Sequence, residues 1–334
     1  MPNHHRDCHY VSFARFRSFV AHALRGSDPA LARKTSQTVV ALPETAQRVP
    51  GALSGNPSTS HNLLRSLLFT FSGLESTVQA KPYLREISLK RDKIADPTKY
   101  PFTIPAVRHL DFLTFDPDVT FLVGENGTGK STLLEAVSVA LGFNAEGGTR
   151  NFNFSTRPSH SELHACLRLV RSYRRPRDSY FLRAESFFNV ATEIERLDAG
   201  GGYGDPIIAA YGGRSLHEQS HGESFLALMN HRFRGQGLYI LDEPEAALSP
   251  NRQLLILRRM RELVLQESQF IVATHSPLLL AYPNAMILLL DQNGYKPTRY
   301  EETEHYQITR RFLNDPESAL KAVFAESGDL FRGS

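Results

Sequence analysis

Three glycines, a lysine and a hydroxyl stand together in Gly124-Glu125-Asn126-Gly127-Thr128-Gly129-Lys130-Ser131, which fits G-x-x-x-x-G-K-[ST]. Glycines at these places let consecutive backbone N–H groups turn inward around a phosphate. Lys130 would reach the β- and γ-phosphates of a nucleotide, and Ser131 would ligate Mg²⁺. The plainer reading is a glycine-rich turn in front of an ordinary helix. A second constellation is Leu238-Tyr239-Ile240-Leu241-Asp242-Glu243, an apolar run that ends in two carboxylates. At a strand tip Asp242 can hold the Mg²⁺ shell. Glu243 can orient and deprotonate a water. Pro244 then stops the strand. The plainer reading here is a solvated acidic turn.

This chemistry needs elements to position it. Val119–Val123 is a short apolar run ahead of the glycines, and residues 132–141 have helical spacing behind them. That is the strand–loop–helix context in which such a loop works. Strands are expected at 84–89, 110–115, 167–170, 180–183, 238–241, 270–273 and 286–290, with a hairpin turn at Asn293-Gly294. Helices are expected at about 223–231, 252–266, 305–313 and 316–324, and residues 199–213 should be mostly loop. Strands alternating with helices after residue 119 imply an α/β core with a largely parallel sheet.

With these residues in place the chain resembles the ABC-type P-loop ATPases, in the branch shared with the RecF-like and SMC-like ATPases. Gly124 to Thr132 (GENGTGKST) and Leu241 to Pro250 (LDEPEAALSP) match the Walker A and Walker B forms of that branch, over a likeness spanning roughly 81–300. The resemblance implies a three-layer sandwich with a mostly parallel central sheet and an antiparallel N-terminal β portion. It implies ATP and Mg²⁺ at Gly124, Glu125, Asn126, Gly127, Thr128, Gly129, Lys130, Ser131 and Thr132, with Asp242 on the metal. It also makes Ala273-Thr274-His275-Ser276-Pro277 the switch-histidine motif. His275, at a strand end, would then bond the γ-phosphate or the attacking water. Lys130, Glu243 and His275 are the expected catalytic set.

The resemblance further implies an ATP-dependent homodimer. Ser220-His221-Gly222-Glu223-Ser224 resembles the family's signature loop, which contacts the nucleotide of the opposite subunit. Ser220 and Gly222 keep the pattern, whereas His221 and Glu223 depart from it. The alternative is a helix N-cap with Ser220 as the capping residue. Ser249 stands where the family has an aspartate, and no Gln occurs between Lys130 and Glu218. Glu185 is the candidate for the missing Gln role, or else a surface carboxylate. SMC-like ATPases insert coiled coils between the two Walker motifs; this interval has no sustained heptads, so an arm is excluded.

Composition narrows the classes further. The 334 residues are 41% hydrophobic and 22% charged, ordinary for a globular protein. No apolar run is long enough for a transmembrane helix. Cys8 and Cys166 are too few for a disulfide framework or a cysteine zinc site, and suggest a reducing, cytoplasmic setting. The net charge is +3, and residues 1–80 carry 8 basic and 4 acidic side chains. The basic balance therefore belongs to that segment and gives no support for nucleic acid binding by the body. Residues 1–80 are expected to be a disordered extension, with a transit peptide as the alternative, and 81–334 to be the ATPase domain.

Three smaller features carry open readings. The cluster Arg168, Arg171, Arg174, Arg175 and Arg177 could meet a nucleic acid backbone or be a solvated edge. Tyr100 and Phe102 could stack on a base or pack in the core. Every histidine other than His275 is read as without a role. The function expected is ATP binding and hydrolysis driving an unidentified partner protein. The alternatives are a transporter's nucleotide-binding subunit and a DNA repair or defence module.

Overall fold

The computed structural model describes residues 81–150, 161–200 and 205–325; the extension expected over 1–80 lies outside the described residues. Among the described residues are nine strands in two sheets. β1 (Leu84–Leu89), β2 (Phe112–Thr114) and β4 (Leu167–Arg171) form a small antiparallel sheet in the order β2-β1-β4. The larger sheet contains β3 (Val119–Gly124), β5 (Asp178–Arg183), β6 (Gly237–Asp242), β7 (Gln269–Ala273), β8 (Met286–Asp291) and β9 (Gly294–Thr298). Its order is β5-β6-β7-β3-β8-β9, parallel throughout except for the β8-β9 hairpin at Asn293-Gly294.

The strands β3, β6 and β7 are buried along their whole length. Alternate side chains enter two separate cores, as a sheet covered on both faces requires. Leu122, Ile240 and Ile271 face the first core, where Leu133, Leu134 and Val137 of α1 (Lys130–Ala140) and Ile87 of β1 pack. Phe121, Tyr239 and Val272 face the second. That side is covered by α2 (Phe187–Ala199), α3 (His221–Ala227) and α4 (Pro250–Leu265) through Val190, Ile194, Phe225, Ile256 and Met260. Each fully buried Leu or Ile contributes on the order of 1.5–3 kcal/mol relative to exposure. This is a three-layer α/β sandwich with a largely parallel sheet and an antiparallel β portion, as expected.

One side chain ties the two sheets together. Gln269, fully buried, accepts from Leu84 N at 3.0 Å and donates to Leu84 O at 2.9 Å and Asp116 O at 3.0 Å. It thereby satisfies three backbone groups of other segments. Helix α2 was not expected from sequence, although Phe187, Val190, Ala191 and Ile194 follow helical spacing and are buried. Beyond β9, α5 (Glu304–Asn314) and α6 (Pro316–Phe324) close the described chain. No helix among the described residues is long and apolar enough to cross a membrane.

Candidate functional site at the strand tips

In a parallel sheet the carboxyl ends of the strands share one edge, where ligands of open α/β folds bind. Asp242 pairs with Ala273 across β6 and β7, Leu122 pairs with Ala273 across β3 and β7, and Arg183 pairs with Asp242 across β5 and β6. Three stretches far apart in sequence, after 122, 241 and 273, are therefore neighbours.

The glycine loop follows β3. Gly124 adopts φ +149°, and a Cβ there would lie 2.2 Å from the Leu290 carbonyl oxygen, so only glycine lets β3 pass β8 at this point. Gly129, at φ +99°, starts α1, and its Cβ would meet Ile104 Cδ1 at 2.7 Å. No side chain caps α1 and no acidic residue lies in its first turn. The first N–H groups of this helix are left for an anion, with the positive end of the helix dipole behind them. Thr128 instead turns its hydroxyl back to Glu125 O at 2.9 Å, while Glu125 and Asn126 are exposed at the loop crest.

Lys130 is 4% exposed and donates to Gly124 O at 2.7 Å and Glu125 O at 2.9 Å. Burial lowers its pKa, and the carboxylates of Glu243, Asp242 and Glu245 oppose that shift. Its ammonium lies inside the loop that would enclose a phosphate. Ser131 donates from Oγ to Asp242 Oδ1 at 3.0 Å. Burial pushes Asp242 up to about 6, against the Ser131 hydrogen bond and the Arg183 charge. Arg183 Nε lies 3.9 Å from Asp242 Oδ2, and its guanidinium is engaged at 2.6 Å by Glu135. This carboxylate is buried with less positive charge than it needs, and Mg²⁺ would supply it. The donor set fits that ion: a hydroxyl and a carboxylate are hard oxygen ligands, and Mg²⁺ takes the rest of its shell from phosphates and water.

Glu243 follows in a left-handed conformation, φ 51° and ψ 52°, unusual for a residue with a side chain and costing about 1–2 kcal/mol. Its N–H donates to Ala273 O at 3.0 Å. The bend brings its Oε1 to 3.7 Å from His275 Nε2. Glu245 accepts from His275 N at 2.5 Å and thereby links the two loops. Burial pushes His275 down to about 4, with the charge of Lys130 adding to the effect, so the imidazole is neutral. The expected catalytic set Lys130, Glu243 and His275 is brought together.

The structure also supplies residues that sequence reasoning passed over. Arg183, at the tip of β5, faces Asp242. His305 of α5 touches His275, at 2.9 Å between His305 Nε2 and His275 Nδ1, and so departs from the reading of the other histidines as without a role. A basic residue at a strand end beside Walker B is a signal for the first. Nothing local marks the second.

Ser220 and Gly222 are not joined to this cluster by any described hydrogen bond. Ser220 is the N-cap of α3, with its backbone N–H at 2.9 Å and its hydroxyl at 2.8 Å from Glu223 Oε2. Arg252 donates to the same hydroxyl at 3.2 Å, and Gly222 is buried. The helix-cap alternative is thus the geometry seen in the single chain. Thr132 Oγ1 lies 3.2 Å from the hydroxyl of Tyr100, which is 66% exposed, whereas Phe102 packs in the core. Glu185 is exposed and lies 3.5 Å from Arg183. Of the arginine cluster, Arg168 and Arg171 lie on the edge strand β4, and Arg174, Arg175 and Arg177 in the turn to β5.

Comparison with known proteins agrees with this geometry. Residues 102–189 match the family described as "AAA domain", and residues 211–281 match "AAA domain, putative AbiEii toxin, Type IV TA system". The first stretch holds the glycine loop and the second holds Asp242, Glu243 and His275. These matches support a P-loop ATPase of the ABC and SMC-like kind. An ABC transporter ATP-binding protein of Haemophilus influenzae is 27% identical over 199 residues, covering 56% of this chain and 74% of that protein. Among solved structures, the ADP conformation of MJ1267, an ATP-binding cassette of an ABC transporter, is 17% identical with a TM-score of 0.39, covering 72% of this chain and 98% of the other. The SMC head domain from Thermotoga maritima is 15% identical with a TM-score of 0.33, covering 65% and 98%. The likeness to these ATPases rests on the two family matches and the motifs, not on those scores.

Proposed function

We propose that this ABC-like ATPase binds Mg-ATP at the strand tips and hydrolyses it, as a homodimer that closes around the nucleotide and drives a partner protein. The observation that carries the reading is the convergence of Lys130, the Ser131–Asp242 pair, Glu243 and His275 at one edge of the sheet. Binding would draw the Lys130 ammonium from the loop carbonyls to the β- and γ-phosphates, while the N–H groups of the loop and of α1 hold the phosphate chain. Mg²⁺ would supply Lewis-acid polarisation of the phosphate oxygens, held by Ser131 and Asp242. Glu243, poised beside His275, orients the water and accepts its proton. His275 steadies the γ-phosphate or that water through Nε2. Tyr100, exposed beside Thr132, would stack on the base. Residues 81–334 are the proposed ATPase domain and 1–80 an accessory extension.

Dimer closure is supported by the family resemblance and by the position of Ser220 ahead of α3. In the single chain Glu223 and Arg252 occupy the Ser220 hydroxyl, so closing on a partner's nucleotide would exchange these contacts for the γ-phosphate. Isothermal titration and phosphate release should show tight ATP binding and turnover in the wild type, both lost in Lys130→Ala. Sedimentation with Mg-ATP should show a dimer for Glu243→Gln and a monomer when Ser220→Arg is added. Turnover unchanged in Lys130→Ala would overturn the site. A dimer persisting in the double variant would leave Ser220 as a helix cap alone.

The name of the Haemophilus relative favours a second reading, the nucleotide-binding subunit of a transporter. Recovery of a permease with this chain from membranes would favour it.

A further inference from the structure

His275 Nε2 is buried and has no hydrogen-bond partner. Glu243 Oε1 lies 3.7 Å from it. The other ring nitrogen, Nδ1, lies 2.9 Å from His305 Nε2, with the two ring centroids 5.1 Å apart.

His305 is held firmly in that position. Its helix α5 is capped by Thr303, 1% exposed, whose hydroxyl accepts from Tyr306 N and donates to Tyr300 O at 2.7 Å. Tyr300 in turn donates to Pro277 O at 2.9 Å, two residues beyond His275. The start of α5 and the His275 loop are thus joined by two hydrogen bonds.

Burial lowers the pKa of both imidazoles; the Lys130 charge adds to it at both, and at His305 Glu304 opposes it without reversing it, so both are neutral. Two neutral imidazoles in contact share one proton, and the donor has to be identified. If His275 carried its proton on Nδ1, the Nε2 lone pair would face the Glu243 carboxylate, two acceptors opposed in a buried site. If the proton is on Nε2, it points toward the carboxylate, and Nδ1 is free to accept.

We infer that His305 is a positioning residue: its Nε2–H donates to His275 Nδ1 and holds His275 as the Nε2–H tautomer, with a donor facing Glu243 and the incoming γ-phosphate or water. The inference rests on the role proposed above for His275. A phosphate oxygen is an acceptor, so only this tautomer of a neutral imidazole can bond it directly. Helix α5, which lies outside both family matches, thereby becomes part of the catalytic apparatus.

Long-range ¹H–¹⁵N NMR of the full chain without nucleotide tests the assignment, with the His275 signals identified from His275→Gln. In the wild type the proton should be on Nε2. The isosteric pair His305→Gln and His305→Glu separates donation from shape. The Gln amide can donate, so His275 should keep the Nε2–H form and most of its turnover. The Glu carboxylate can only accept, so the proton should move to Nδ1 or His275 should become charged. Its kcat should fall by about tenfold or more, within the range of a lost acid–base or orienting group, with KM for ATP changed less than about twofold. An Nδ1–H tautomer in the wild type would overturn the inference, as would an unchanged tautomer in His305→Glu. A His275→Ala variant with full turnover would instead refute the catalytic role of His275 and leave the tautomer result standing.

Discussion

Ser131 and Asp242 meet at 3.0 Å across 111 residues of sequence, the hydroxyl donating to the carboxylate. One stands at the start of a helix and the other at the end of a strand, two strands away in the sheet. Their meeting brings two separate motifs to one place, as the proposed pair of oxygen ligands for Mg²⁺ requires. Asp242→Asn should keep the hydrogen bond and the nucleotide pocket but remove the charge that attracts the cation. Titrating Mg²⁺ at fixed ATP should show a requirement raised by about tenfold or more, with ATP binding in the absence of metal little changed. An unchanged Mg²⁺ requirement would exclude Asp242 as the ligand.

The glycine loop should tolerate alanine unevenly. A Cβ at Gly124 would lie 2.2 Å from Leu290 O, whereas one at Gly127 meets nothing within 4 Å, although its φ is +81°. Gly127→Ala should cost about 1–2 kcal/mol for the left-handed backbone alone. Gly124→Ala adds displacement of β8 and should cost about 1–3 kcal/mol more. Thermal melting of the two variants orders them; equal melting points would contradict the close approach of β3 to β8.

Acid should act on His275 and Asp242 in opposite directions. His275 is pushed from 6.5 down to about 4 by burial, so its contribution to stability is complete above 6.5 and is lost as the pH falls through about 4. Asp242 is pushed from 3.8 up to about 6, so its contribution is present below 3.8 and is lost as the pH rises through about 6. A His275→Asn variant isolates the first, because Asp242 contributes to both proteins. Wild-type stability should fall more steeply than that of the variant between about pH 6.5 and 4, measured by denaturant unfolding. Parallel slopes would show that the imidazole is not held neutral.

Much of this site was legible in sequence because its chemistry is local. Gly124 to Ser131 fixes a loop within eight residues, and Asp242, Glu243 and His275 each end an apolar run that must be a buried strand. The strands themselves followed from those runs. Contacts made only by folding were not legible. His305 reaches His275 through the packing of α5, and no spacing rule ties the two. Gln269 looks like a polar residue before a strand, yet it serves three backbone groups of other segments. Helix α2 is a different case: its helical spacing is present at Phe187, Val190, Ala191 and Ile194, yet no element is assigned there from the sequence. The pair Ser220 and Glu223 shows the limit of motif matching, since the same residues that suggest a signature loop also form a helix cap.

The account depends on Glu243 being the group that activates water rather than one that binds nucleotide. Glu243→Gln preserves size and one acceptor oxygen and removes the base. Parallel measurement of Mg-ATP affinity by titration calorimetry and of phosphate release under single turnover tests this directly. Affinity should stay within about threefold of wild type, while the hydrolysis rate should fall by about 10²–10⁴-fold, the usual contribution of general base catalysis. A variant that hydrolyses ATP at the wild-type rate, or a wild type that binds Mg-ATP and releases no phosphate, would contradict the account.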